Sequence, residues 1–174
     1  KARPKQFISL FGGRPLLSLA VERLQGLVPP ERVVIITAER LADDTALAAW
    51  NVPRANIIGE PCKRDTAPAI AAACGIVRQR DKDGVVCILT ADQLMSDVET
   101  FRLTLADAIK VAARRDAVVT IGIPPTHAAT GFGYIEAGEA LETRTVTIFQ
   151  KAKRFVEKPD GYTAARYIES ERYY

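Results

Sequence analysis

Residues 32–38, Arg-Val-Val-Ile-Ile-Thr-Ala, form a β-branched run with no polar alternation. Such a run reads as a strand buried on both faces, which requires a sheet covered by helices above and below. The apolar run 85–89 reads as the next buried strand, and residues 117–123 return as a strand. The segments between them supply the helices. Residues 16–27 carry apolar side chains at Leu16, Leu17, Leu19, Ala20, Leu24 and Leu27 and are closed by Pro29-Pro30. Residues 41–50 give a short helix, followed by a strand at 56–59. The Ala-rich segment 66–80 reads as a helix packed closely against the sheet. Residues 98–115 are amphipathic through Phe101, Leu105, Ile109 and Ala112, with Asp97 as N-cap. After Pro124-Pro125 the pattern changes, and residues 133–137 and 145–149 read as antiparallel strands. A strand at 154–157 and a helix near 163–169 follow. The expected class is α/β, a doubly wound, mostly parallel sheet with antiparallel additions late in the chain.

The 174 residues suit one domain with a real core. Net charge is only +3, with basic and acidic residues interspersed, which gives no argument for a nucleic-acid surface and suits phosphate-bearing small ligands equally well, so no nucleic-acid partner is expected. No apolar run approaches the roughly 18 to 20 residues of a membrane span, and no signal peptide is visible. The expectation is a cytoplasmic protein with no membrane partner, although Lys1 is not Met and the true N-terminus can lie upstream. Cys62, Cys74 and Cys87 show no Cys-x-x-Cys pairing and read as free thiols. With a single histidine, His127, they make a structural metal site an unconvincing expectation.

Function is expected where buried strands end in polar connections, because open α/β sheets bind ligands there. The connection at 59–73 reads Gly-Glu-Pro-Cys-Lys-Arg-Asp-Thr-Ala-Pro-Ala-Ile-Ala-Ala-Ala, with Thr66 and Pro68 as a helix start. A second polar edge is Thr90-Ala91-Asp92-Gln93. A third is Phe155-Val156-Glu157-Lys158-Pro159. Three such edges point to a shared cleft and a nucleotide-type enzyme.

Together with Pro4-Lys5-Gln6-Phe7 and Thr130-Gly131-Phe132-Gly133-Tyr134-Ile135, these stretches resemble the mannose-1-phosphate guanylyltransferases, or GDP-mannose pyrophosphorylases, of the bacterial long-chain type. The five pieces span nearly the whole chain in the family's order. The resemblance implies a Rossmann-like nucleotidyltransferase fold. It also implies that residues 1–174 are one catalytic domain, incomplete at both ends. The family has a Gly-rich phosphate loop just before Pro-Lys-Gln-Phe, and it continues beyond Tyr174 toward a second acidic metal ligand.

The implied reaction is attack of a mannose 1-phosphate oxygen on the α-phosphorus of GTP, with release of pyrophosphate. That nucleophile is already ionised near neutral pH, so catalysis is positioning and charge neutralisation rather than general-base chemistry. Lys5 is expected on the triphosphate and Asp92 on Mg²⁺. Glu60, Pro61, Arg64, Thr66 and Ala67 are the expected nucleotide contacts. Glu60 suits guanine because a carboxylate accepts from both N1–H and N2–H; a structural turn carboxylate is the alternative. Gly133 lets the backbone approach the sugar, Glu157 takes hydroxyls and Lys158 takes the 1-phosphate. Gln93, Asp65 and Ala129 depart from the family's usual His, Asn and Glu. A homodimer is one assembly compatible with the resemblance.

Rival readings are weaker. A dinucleotide-dependent dehydrogenase would need Gly-x-Gly-x-x-Gly after the first strand, and Phe11-Gly12-Gly13-Arg14 lacks that spacing. Another sugar-1-phosphate nucleotidyltransferase, or a silent nucleotide-sugar-binding regulator, fits the same motifs. Trp50 and His127 are assigned to packing or surface.

Overall fold

The structure, a computed structural model, describes residues 4–62, 64–115 and 117–174. The chain divides into two compact units, Lys1–Arg102 and Leu103–Tyr174.

In the first unit a 3-10 turn, Lys5–Phe7, leads into the hairpin β1 (Ser9–Phe11) and β2 (Arg14–Pro15). Gly12 and Gly13 close it at φ +61° and +74°, the left-handed geometry that two-residue hairpins demand. The Gly-Gly pair is therefore a turn device. Helix α1 (Leu16–Glu22) begins where expected but stops short of Leu27. Its end tightens through Leu24 N–H to the Val21 carbonyl, and Gly26 at φ +81° reverses the chain.

Strands β3 (Ile35–Ala38) and β4 (Ile57–Glu60) pair in parallel, in register from Ile35 opposite Ile57 to Ala38 opposite Glu60. Helix α2 (Ala42–Ala48) connects them. The core of this unit gathers Phe7, Leu17, Val21, Ala49, Val52 and Ile57, all less than 9% exposed. Helix α3 spans Thr66–Arg80, the bounds the sequence predicts, but none of its residues is buried, contrary to the close packing expected of its alanines. Ala69, Ile70, Ala73, Cys74, Ile76 and Val77 are half-buried along one side, so the helix is covered only in part among the described residues.

Residues 85–89, expected as a buried strand, and 117–123, expected as a strand, join no ladder among the described residues. A strand needs a hydrogen-bonded neighbour, and without one the apolar side chains stay partly exposed, Ile88 at 48% and Val118 at 97%. The α/β character stands all the same, with a parallel pair early in the chain and an antiparallel pair late.

Helix α4 (Val98–Arg114) is capped by Asp97, which accepts from Thr100 N at 2.9 Å and Thr100 Oγ1 at 2.7 Å. In the second unit β5 (Gly133–Leu141) and β6 (Phe149–Glu157) form an antiparallel pair. The expected strand at 154–157 is the end of β6, while residues 145–148 form a turn. The cause is Asp107 of α4, whose Oδ2 accepts from Val146 N, Thr147 N and Thr147 Oγ1 at 3.1–3.2 Å. A side-chain carboxylate thus takes the N–H groups that a ladder would have used. Helix α5 (Gly161–Glu169) is capped by Asp160, and the chain end pairs with β5 through Ile135 and Tyr174. Tyr134, Ala164 and Tyr173 form the core of this unit.

Candidate active site

In the first unit the candidate side chains are exposed or half-exposed while their neighbours in sequence are anchored. Lys5 is exposed on its 3-10 turn, which is pinned by Phe7 at 2% exposure. Ala91 packs on the same core cluster, beside exposed Asp92. Ile57 of that cluster begins β4, which ends at Glu60. One core therefore anchors the Lys5 turn, the Asp92 turn and the Glu60 strand. Gly59 sets the last of these: a Cβ there would lie 2.7 Å from Glu39 Cα, so only glycine lets β4 pass.

Beyond Glu60 the chain runs through exposed Pro61, Arg64 and Asp65 into Thr66 and Ala67, the first residues of α3. Asp65 sits at φ +63°, ψ −166°, a region that non-glycine residues rarely occupy, and its side chain does not cap the helix. The first N–H groups of α3, including those of Thr66 and Ala67, have no intrahelical acceptor and lack a side-chain cap.

Sequence reasoning missed Arg23, the residue that holds the Asp92 turn. It follows α1 directly and is 4% exposed. Its Nη2 donates to the Thr90 carbonyl at 2.8 Å and its Nη1 to the Gln93 carbonyl at 3.2 Å. The guanidinium lies 5.0 Å from the centre of the Phe101 ring. Burial lowers its pKa, and its Nε is buried with no partner among the described residues. The signal was available: an arginine three residues after Ala20 and four after Leu19 continues the apolar stripe of α1.

The second unit brings its three candidates together. Gly133 opens β5 opposite Glu157, the last residue of β6. A Cβ on Gly133 would meet Glu157 Oε2 at 3.0 Å. Lys158 follows at φ +46°, its N–H donating to the Phe132 carbonyl at 3.3 Å and its Nζ lying 3.1 Å from Glu157 Oε1. A solvated carboxylate and ammonium thus share one strand end, offering acceptors for hydroxyls and a cation for phosphate.

Elsewhere in this unit Glu136, 4% exposed, accepts from Lys153 Nζ at 2.9 Å and Arg154 Nε at 2.6 Å. These contacts hold its carboxyl at about 2 against the desolvation that burial imposes.

No group of three or more potential metal-ligating side chains occurs among the described residues. Magnesium commonly takes one or two carboxylates and completes its shell with water and phosphate oxygens. Asp92, exposed and in no ion pair among the described residues, fits that limited demand. The three cysteines are free, Trp50 is 81% exposed, His127 is exposed, and no helix among the described residues is long and apolar enough to cross a membrane.

The chain matches the nucleotidyl transferase family over residues 1–174. It is 40% identical over 174 residues to a mannose-1-phosphate guanylyltransferase of Salmonella muenchen and 41% identical over 175 residues to one of Klebsiella pneumoniae. Both alignments cover 98% of this chain, which spans only 36% of the length of either relative. Among solved structures, a Thermus thermophilus protein described as a mannose-1-phosphate geranyltransferase superposes with a TM-score of 0.82 at 33% identity, covering 98% of this chain and 48% of that one. A Helicobacter pylori protein described as a mannose-6-phosphate isomerase gives 0.80 at 28% identity, covering 98% and 62%.

Proposed function

The chain belongs to the nucleotidyl transferase family, and from that premise we propose that it catalyses transfer of GMP from GTP to mannose 1-phosphate. A mannose 1-phosphate oxygen forms the new bond to the α-phosphorus, the bond to the β-phosphate bridge breaks, and GDP-mannose and pyrophosphate leave. Both units then serve one catalytic domain, in a cytoplasmic enzyme that is proposed to work as a homodimer. Lys5 presents a point charge to the triphosphate. Glu60 accepts from the guanine edge, Pro61 and Arg64 border it, and the uncapped N–H groups of Thr66 and Ala67 face oxyanions. Glu157 accepts from sugar hydroxyls, Lys158 binds the 1-phosphate, and Gly133 leaves room beside them. Asp92 holds Mg²⁺, which when bound supplies charge neutralisation on phosphate oxygens.

The observation that carries this reading is the Gly133, Glu157 and Lys158 arrangement, a paired acceptor and donor at a strand end backed by glycine. Relatives named for the same reaction at about 40% identity support it. The test is pyrophosphate release by the full-length protein from GTP, with and without mannose 1-phosphate. Asp92→Asn should lower turnover at saturating GTP roughly 10²-fold or more with the fold intact. Release that does not depend on mannose 1-phosphate, or none at all, would sink the proposal.

A further inference from the structure

We propose that Arg23 is a positioning residue for Asp92, clamping the Thr90–Gln93 turn so that its carboxylate meets the metal-bound nucleotide in one orientation. The inference rests on the reading of Asp92 as the metal-holding carboxylate. Arg23 donates to the carbonyls of Thr90 and Gln93, which bracket Asp92 in sequence. Ala91 packs on the core from within the same turn. Three points therefore hold a four-residue turn whose one acidic side chain is exposed. The clamp is itself held. Arg102 donates from Nε to the Arg23 carbonyl at 3.0 Å and from Nη2 to the Glu22 carbonyl at 3.2 Å, while Phe101 faces the guanidinium.

Stability alone is a poor reason for this arrangement. The guanidinium is buried with its Nε unpartnered, and an unmade hydrogen bond in the interior costs free energy. What an apolar residue cannot supply is two donors in a fixed fork, the geometry that ties both ends of a turn at once. Side chains that orient a metal ligand without touching the metal are worth about 10–100-fold in metal affinity.

The test compares Arg23→Met, Arg23→Lys and Asp92→Asn with the wild type in the full-length protein. Backbone 15N order parameters at residues 90–93 read the clamp directly, and they should fall most in Arg23→Met, with β3 and β4 unchanged. Mn²⁺ affinity in the presence of GTP, measured by electron paramagnetic resonance, should fall about 10–100-fold in Arg23→Met. The Mg²⁺ concentration for half-maximal activity should rise while KM for mannose 1-phosphate stays near wild type. Arg23→Lys, whose single ammonium cannot hold both carbonyls in the same fork, should fall between, and it decides the matter if Arg23→Met does not fold. Wild-type order parameters at 90–93 overturn the proposal, as do lower ones with unchanged Mn²⁺ affinity. Asp92→Asn with wild-type Mn²⁺ affinity overturns the reading of Asp92 and the positioning role with it. Lost affinity in Asp92→Asn beside wild-type affinity in the Arg23 variants overturns the positioning role alone.

Discussion

Glu60 stands where it does because Gly59 lets β4 pass Glu39 closely: a Cβ at position 59 would lie 2.7 Å from Glu39 Cα. A carboxylate delivered there offers only acceptors, and guanine is the common purine whose Watson–Crick edge presents adjacent donors. Glu60→Gln turns one acceptor into a donor facing those donors. We expect it to weaken kcat/KM for GTP by about 1–3 kcal/mol, the range for an unsatisfied buried group, and to narrow the GTP/ATP preference. An unchanged ratio would remove Glu60 as the guanine reader. At the other candidate subsite, Lys158→Ala should raise KM for mannose 1-phosphate and leave that for GTP nearly unchanged. A larger shift in the GTP constant would show the division of roles to be wrong. The identities of these residues were legible in short motifs, because a strand end with paired charges is a local pattern. Their backbone settings were not: the positive φ of Asp65 and Lys158 arises from the turns around them, and neither residue type announces it. The place of Arg23 on the apolar stripe of α1 was legible, but what it holds was hidden for a related reason. Its partners are carbonyls some seventy positions along the chain, at Thr90 and Gln93, and carbonyls carry no sequence identity.

Helices of this chain were legible where their signals are local. Asp97 and Asp160 each bond the N–H group three residues on, and α3 keeps the bounds its composition predicts. The strands were less so, since an apolar run states burial and says nothing of its neighbour. Residues 32–38 found β4 as a partner through Ile35–Ala38, whereas residues 85–89 and 117–123 joined no ladder among the described residues. Helix α3 offers a test of how open its surroundings are. Gly75 lies inside it, and a Cβ there would meet no atom within 4 Å. Glycine in a helix interior costs about 0.5–1 kcal/mol relative to alanine. Gly75→Ala should therefore raise the stability of the protein by about that amount, read as a higher urea midpoint with an unchanged m-value. A lower midpoint would mean that the full-length protein covers this position.

Among the described residues, five carboxylates are held below their ordinary range: Asp97 in the first unit, and Asp107, Glu136, Glu139 and Asp160 in the second. The causes are hydrogen bonds from backbone N–H groups, threonine hydroxyls and lysine or arginine side chains. The largest is at Glu136, whose carboxyl drops from the usual 4.5 to about 2, chiefly through Lys153 and with further help from Arg154 and Tyr173. A depressed folded pKa means the native state binds fewer protons than the unfolded state between the two values. The stability from Glu136 is thus fully present above about pH 4.5 and drains away as the pH falls toward 2. The other four pull in the same direction, so both units should weaken together in acid. Glu136→Gln isolates the largest contribution. It leaves Lys153 and Arg154 without their carboxylate, so the variant should be less stable than wild type near neutral pH. Its urea midpoint should also depend less on pH between 4.5 and 2, so that the two curves converge at the acid end. Tyr134, Tyr167 and Tyr173 pack in the same unit, and their near-ultraviolet circular dichroism reports its loss. Parallel curves over that interval would show that Glu136 ionises alike in folded and unfolded chains, and that the cluster lends the second unit no acid sensitivity.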